Sequence, residues 1–203
     1  MKSYTVTRAE GAPNWDAIER VTMECRYQQT SEHIRAHAQL AWTEETLLVH
    51  LQAEVPYIRA EEYGPAGVPC EDSCLEFFFC PVPGDPHYFN IEYNYNGCMY
   101  LGYGTGLQDL IRLIPDGGAE EIFCPEVRRI EGGWEIFYRI PYDFIRRMMP
   151  QARLTGGQII GGNFYACSDL TEPPYYLSWN EVREDPFTFH RSECFGEIII
   201  ADQ

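Results

Sequence analysis

Residues 71–81 read EDSCLEFFFCP and residues 88–97 read YFNIEYNYNG, and the alternation inside these two stretches decides the fold. Successive side chains of a strand point to opposite faces of a sheet. Leu75, Phe77 and Phe79 therefore share one side, and Glu76 lies on the other. In the second stretch Phe89, Ile91 and Tyr93 turn inward while Asn90, Glu92 and Asn94 turn away. PVPGDP between the stretches is turn chemistry, and Asn96-Gly97 is a tight-hairpin signal.

The same two-faced pattern recurs outward along the chain. In LLVHLQAE (47–54) Leu47, Val49 and Leu51 form one row, and His50, Gln52 and Glu54 the other. In GNFYAC (162–167) Asn163 and Tyr165 oppose Phe164 and Ala166, and in WEIFYRI (134–140) Arg139 shares a row with Glu135 and Phe137. Strands are predicted over 36–42, 46–54, 73–80, 87–95, 98–103, 121–130, 134–140, 158–167 and 195–201. One helix is predicted over 141–149, PYDFIRRMM, with Pro at its first position and Pro150 behind it. Many short strands with one short helix make an all-β fold, an antiparallel, jelly-roll-like β-sandwich. No repeat or linker divides the sequence, so residues 1–203 are expected to form a single domain.

Composition narrows the functions. The chain carries 14 Tyr, 11 Phe and 4 Trp, and 31 acidic residues against 15 basic ones give a net charge of −16. That charge repels phosphate backbones and anionic lipid surfaces, so nucleic acid and membrane are not expected partners, whereas a neutral ligand is compatible with it. The first residues contain no apolar stretch of signal-peptide length, and a cytoplasmic location is expected. The eight cysteines are accordingly expected to be reduced, packing mostly as small hydrophobes. Cys70, Cys74 and Cys80 lie close together but match no CxxC pair, and His33 and His37 lack a third ligand at helical spacing, so neither group predicts a metal site.

Sugar recognition needs planar polar groups that engage vicinal hydroxyls and aromatic rings that cover the apolar face of a pyranose. The outward polar rows supply the first. The segment PPYYLSWNEV (173–182), with Tyr175, Tyr176 and Trp179, is rich in rings and supplies the second.

With EDSCLEFFFCP and YFNIEYNYNG, the blocks GGNFYACSD (161–169), YYLSW (175–179) and FHRSECFGEI (189–198) resemble the type 9 carbohydrate-binding modules and their DOMON-like relatives. The order and spacing match from about Trp42 to Ile200. The resemblance implies a β-sandwich with a ring-lined sugar slot, an acidic residue closing the DS block, polar residues on neighbouring strands and a late-loop tryptophan. Those positions look like Glu76, then Asn90 or Glu92, then Asn163, and Trp179, with Tyr176 beside the last. The loop before the DS block, EEYGPAGVPCED (61–72), offers Tyr63 where such modules can place a second stacking ring. The resemblance thus implies non-catalytic binding of a mono- or oligosaccharide, in a family usually attached to carbohydrate-degrading enzymes. No catalytic residue or cofactor is expected, and structural calcium and oligomeric state are left open. The competing readings are a glycoside hydrolase using paired carboxylates such as Glu76 and Glu92, and a sandwich serving protein interaction.

Overall fold

The computed structural model of the chain describes residues 1–183 and 185–202. Its first five strands are β1 (Ser3–Arg8), β2 (Val21–Thr22), β3 (Cys25–Tyr27), β4 (Arg35–Trp42) and β5 (Thr46–Glu54). The central hairpins follow as β6 (Cys74–Cys80), β7 (Tyr88–Asn94), β8 (Met99–Gly104) and β9 (Ile111–Arg112). Helix α1 (Ala119–Phe123), β10 (Glu126–Ile130), β11 (Gly133–Pro141) and helix α2 (Tyr142–Met148) come next, and β12 (Ile159–Ser168), β13 (Tyr175–Ser178) and β14 (Gly196–Ile200) close the chain.

The strands form one path, β10-β11-β5-β4-β1-β14-β12-β6-β7-β8-β9, which curls into two layers at β1. Ser3 to Val6 pair with β14, and Thr7 and Arg8 pair with β4, so β1 belongs to both layers. Both of its pairings are parallel, so the otherwise antiparallel sandwich expected from the sequence is mixed at this one strand. The N-terminal strand SYTVTR is short and alternating, with only Tyr4 and Val6 buried, and alternation does not reveal the direction of a strand's neighbours.

Between the layers lies the main core. Phe77 stacks on Phe79 at 5.0 Å and on Phe164 at 4.9 Å between ring centroids, and Val49, Leu51, Ile136 and Tyr138 of the facing layer belong to the same cluster. Burying a side chain of this size stabilises by about 1.5–3 kcal/mol, so the odd-numbered residues of β6 and β7 fix how the first layer faces the second.

The predicted strand 121–130 forms only in its second half. Residues Ala119–Phe123 make helix α1, and Cys124 follows in the left-handed region at φ 47°. The turn buries Phe123 against Phe144, 5.1 Å away between ring centroids, and Pro125, which has no N–H to donate to a ladder, stands before β10. The predicted helix 141–149 is present as α2, with Pro141 in extended conformation just before it. No helix among the described residues is long and apolar enough to cross a membrane.

Candidate functional site

The even-numbered residues of β6 and β7 face away from the main core, as the alternation predicts, yet they are not in solvent. Glu76, Glu92, Asn90 and Asn94 are all buried. The cause is a second apolar cluster on the outer face of the first layer, in which Tyr27, Phe78, Tyr88, Tyr165, Val182, Phe189 and Phe195 pack together. The long connection from β13 to β14 supplies Val182 and Phe189 and lies over the sheet as a cover. Phe189 stacks on Tyr165 at 4.2 Å, and Phe187 leans on Tyr27 at 5.0 Å and on Tyr176 at 5.4 Å.

Between this cover and the sheet is a pocket of about 270 Å³. Glu76 and Glu92 form its floor, and they are direct register partners on β6 and β7. Cys70 and Cys167 line it beside them, as do Gln28, Asp169 and Tyr176, and Phe187, Thr188, Phe189 and His190 of the cover complete the lining. The Tyr176 hydroxyl donates to Asp169 Oδ1 at 2.9 Å, which fixes that ring at the rim.

Each floor carboxyl is held by a neighbour. Cys167 Sγ donates to Glu76 Oε1 at 2.9 Å, and Asn90 Nδ2 donates to Glu92 Oε1 at 2.7 Å. Burial, then the charge of Glu92, hold Glu76 well above the ordinary carboxyl range. Burial also pushes Glu92 up to about 7, against the pull of the Asn90 hydrogen bond and the Arg112 charge. Two buried carboxyls side by side do not both ionise readily. In the cover burial lowers the His190 imidazole to about 4. His190 Nδ1 lies 2.9 Å from the Tyr88 hydroxyl, and with that hydroxyl donating, Nε2 carries the ring proton.

The Asp of the DS block has a separate task. Asp72 is buried and accepts from the backbone N–H of Glu61 at 2.9 Å, that of Glu62 at 2.8 Å and Asn94 Nδ2 at 2.7 Å, and it is paired with Arg59. These bonds tie the segment before β6 to β7 and hold Cys70 at the pocket.

Of the seven residues that the sequence suggested, Glu76, Glu92 and Tyr176 meet in the pocket. Asn90 stands behind Glu92 as its orienting donor. The other three lie elsewhere, and each is a correction. Trp179 is 3% exposed and belongs to the main core, 5.7 Å from Phe164 between ring centroids. The segment expected to be a ring-rich loop is strand β13, paired with β12 and β3. Parity then sends Tyr175, Leu177 and Trp179 inward together and leaves Tyr176 outside. Asn163 is fully buried and spends its side chain on backbone, with Oδ1 accepting from Phe164 N at 3.0 Å and Asn180 N at 2.9 Å and Nδ2 donating to Asn180 O at 2.9 Å. Tyr63 is 68% exposed and lines a different pocket of about 340 Å³, with Asn96, Met99 and Leu113, that shares no wall with the first.

Sequence reasoning missed Asp169, Phe187 and the thiols. Asp169 shares the row of Tyr165 and Cys167, so parity carried one step past β12 would have found it. Phe187 and Phe189 sit in DPFTFHRS (185–192), whose alternating rings signal burial but not the surface they cover.

The model of carbohydrate-binding family 9 matches residues 14–200. No curated protein matches the chain. Among solved structures, a candidate carbohydrate-binding protein from Bacteroides uniformis superposes with a TM-score of 0.81 at 22% identity, covering 97% of this chain and 98% of that one. A family 9 carbohydrate-binding module from Caldicellulosiruptor kristjanssonii, in complex with glucose, gives 0.68 at 14% identity over 100% and 97% of the two chains. The same organism's family 9 module in complex with cellotriose gives 0.70 at 14% identity over 100% and 95%. With a β-sandwich fold and the family model spanning nearly its whole length, the chain belongs to carbohydrate-binding family 9, a family of non-catalytic sugar-binding modules.

Proposed function

We propose that the pocket between the Glu76–Glu92 floor and the Phe187–His190 cover is where this module seats its sugar, and that it takes one neutral ring at a time. The observation that carries this reading is the pair of buried carboxyls beneath an aromatic rim. Glu76, Glu92, Asp169 and His190 offer both donors and acceptors to hydroxyls, and Tyr176 and Phe187 offer ring faces for C–H groups. A volume of about 270 Å³ is small for a ligand pocket, which favours a monosaccharide or a chain end over the middle of a long glycan. The carboxyls and the net charge of −16 disfavour uronic acids and other anionic sugars. Both carboxyls stand on the same floor as cross-strand neighbours, not on either side of a scissile bond as hydrolysis requires, in keeping with a binding role.

The complexes of the Caldicellulosiruptor modules with glucose and cellotriose make these two sugars the first probes. Titration calorimetry should register binding of glucose by the native protein and at least about tenfold weaker binding by Glu92→Gln, the scale of one lost charge-assisted hydrogen bond. Equal affinity in a folded Glu92→Gln variant would remove this pocket from consideration.

A further inference from the structure

Strands β6 and β12 run side by side, with Cys74 directly opposite Cys167. Glu76 lies two residues further along the same face of β6. The two thiol sulfurs and a carboxylate oxygen of Glu76 all lie within 4.8 Å of one another, and all three residues are buried. The Cys167–Glu76 contact is 2.9 Å, and Cys167 Sγ also lies 3.9 Å from the Cys70 carbonyl. Among the described residues no Lys, Arg or His forms an ion pair with Glu76 or with Glu92.

This arrangement is more than a packed cysteine pair. Bonds of about 2.3 Å to sulfur and about 2.0 Å to oxygen let a single ion reach all three donors. Two thiolates select a soft or borderline cation over Ca²⁺ or Mg²⁺. The ligands stand on neighbouring strands of a hydrogen-bonded sheet, so little ordering remains to be done on binding. Glu76 and Cys167 line the pocket and Cys74 lies behind them, so a water or a ligand hydroxyl reaching the ion would come from the pocket side.

We propose that Cys74, Cys167 and Glu76 form a site for one thiophilic divalent cation of the zinc class at the floor of the pocket, with its fourth position open to the pocket. Both thiols bind as thiolates, their protons pass to solvent, and the cation supplies the positive charge that the Glu76–Glu92 floor lacks. The inference stands on the thiol geometry and does not depend on the pocket's taking sugar.

Cobalt(II) reports the donor set directly. The full chain, stripped with a chelator and kept reduced, should bind one equivalent of Co²⁺ with a thiolate-to-metal charge-transfer band and the intense visible bands of a tetrahedral site, and Zn²⁺ should displace it. Cys167→Ser should lose the charge-transfer intensity or bind more than about a hundredfold more weakly, beyond what changes around a ligand do, while Cys124→Ser, at an exposed thiol, should keep it. A second measurement needs no variant: Zn²⁺ should protect Cys74 and Cys167 from alkylation, read by peptide mass mapping. Absence of the charge-transfer band, its persistence in Cys167→Ser, a Cys74–Cys167 disulfide formed in place of metal uptake, or alkylation unaffected by Zn²⁺ would each overturn the site. Glucose titration of the stripped protein reads the sugar pocket separately, so failure of one reading does not carry the other with it.

Discussion

Trp179 lies so close to Gly196 that a Cβ built on the glycine would come within 2.5 Å of the indole Cζ3. The tryptophan thus fills the seam between β13 and β14, where only a residue without a side chain fits opposite it. Its job is structural. Trp179→Ala should cost about 3–5 kcal/mol, as large-to-small changes at fully packed aromatics do, and Gly196→Ala should also destabilise because the indole has no room to give way. Thermal unfolding measures both. Trp179→Phe, which keeps most of the packing, should bind sugar as the native protein does.

The alternation in EDSCLEFFFCP and YFNIEYNYNG was enough to assign each side chain of β6 and β7 to its face, and that assignment holds at Phe77, Phe79, Glu76 and Glu92. What parity does not reveal is whether the outward face meets water, because Val182, Phe187 and Phe189 of the cover arrive from the far end of the chain. It also reads a face only once a strand has been recognised. The tetrapeptide YYLS after two prolines reads as loop, and its pairing with β12 and β3 is what turns Trp179 inward. Cys74 and Cys167 are 93 residues apart in sequence, so their meeting is a consequence of strand order alone, which local patterns do not encode.

Asn163 accounts for a second relocated role. Its side chain satisfies two backbone N–H groups and one carbonyl, all within the sheet and the turn at Asn180. Asn163→Ala should therefore destabilise by about 2–3 kcal/mol, since buried backbone groups lose their partners. Denaturant unfolding would read this as a shifted midpoint with an unchanged slope.

The His190 wall predicts an acid sensitivity. Burial depresses its pKa from 6.5 to about 4, so the unfolded chain takes up a proton at a pH where the folded chain does not. The stability this group allows is present above about pH 6.5 and is lost as the pH falls towards 4, by up to about 3 kcal/mol at roughly 1.4 kcal/mol per pH unit. Comparing the pH dependence of Tm between the native protein and His190→Gln isolates the contribution. The variant should show a shallower decline between pH 6.5 and 4, and identical slopes would contradict the burial argument.

Phe187 is half-buried against Tyr27 and Tyr176, so its removal takes away a wall of the pocket more than a piece of the core. Phe187→Ala should weaken sugar binding by about 1–2 kcal/mol, within the range for truncating an aromatic anchor, with a smaller loss of stability than Trp179→Ala produces. Calorimetry and thermal unfolding on the same two variants give the comparison.

We propose sugar entry between the Glu76–Glu92 floor and the Phe187–His190 cover. Titrating isotope-labelled protein with glucose and with cellotriose, and following backbone amide shifts by NMR, tests it most directly. Saturable shifts are expected to concentrate at Cys70, Glu92, Asp169, Tyr176 and residues 187–190, the same set for both sugars because each presents one ring to the floor. Shifts confined to Tyr63, Asn96 and Leu113 around the other pocket, or none at saturating sugar, would contradict it.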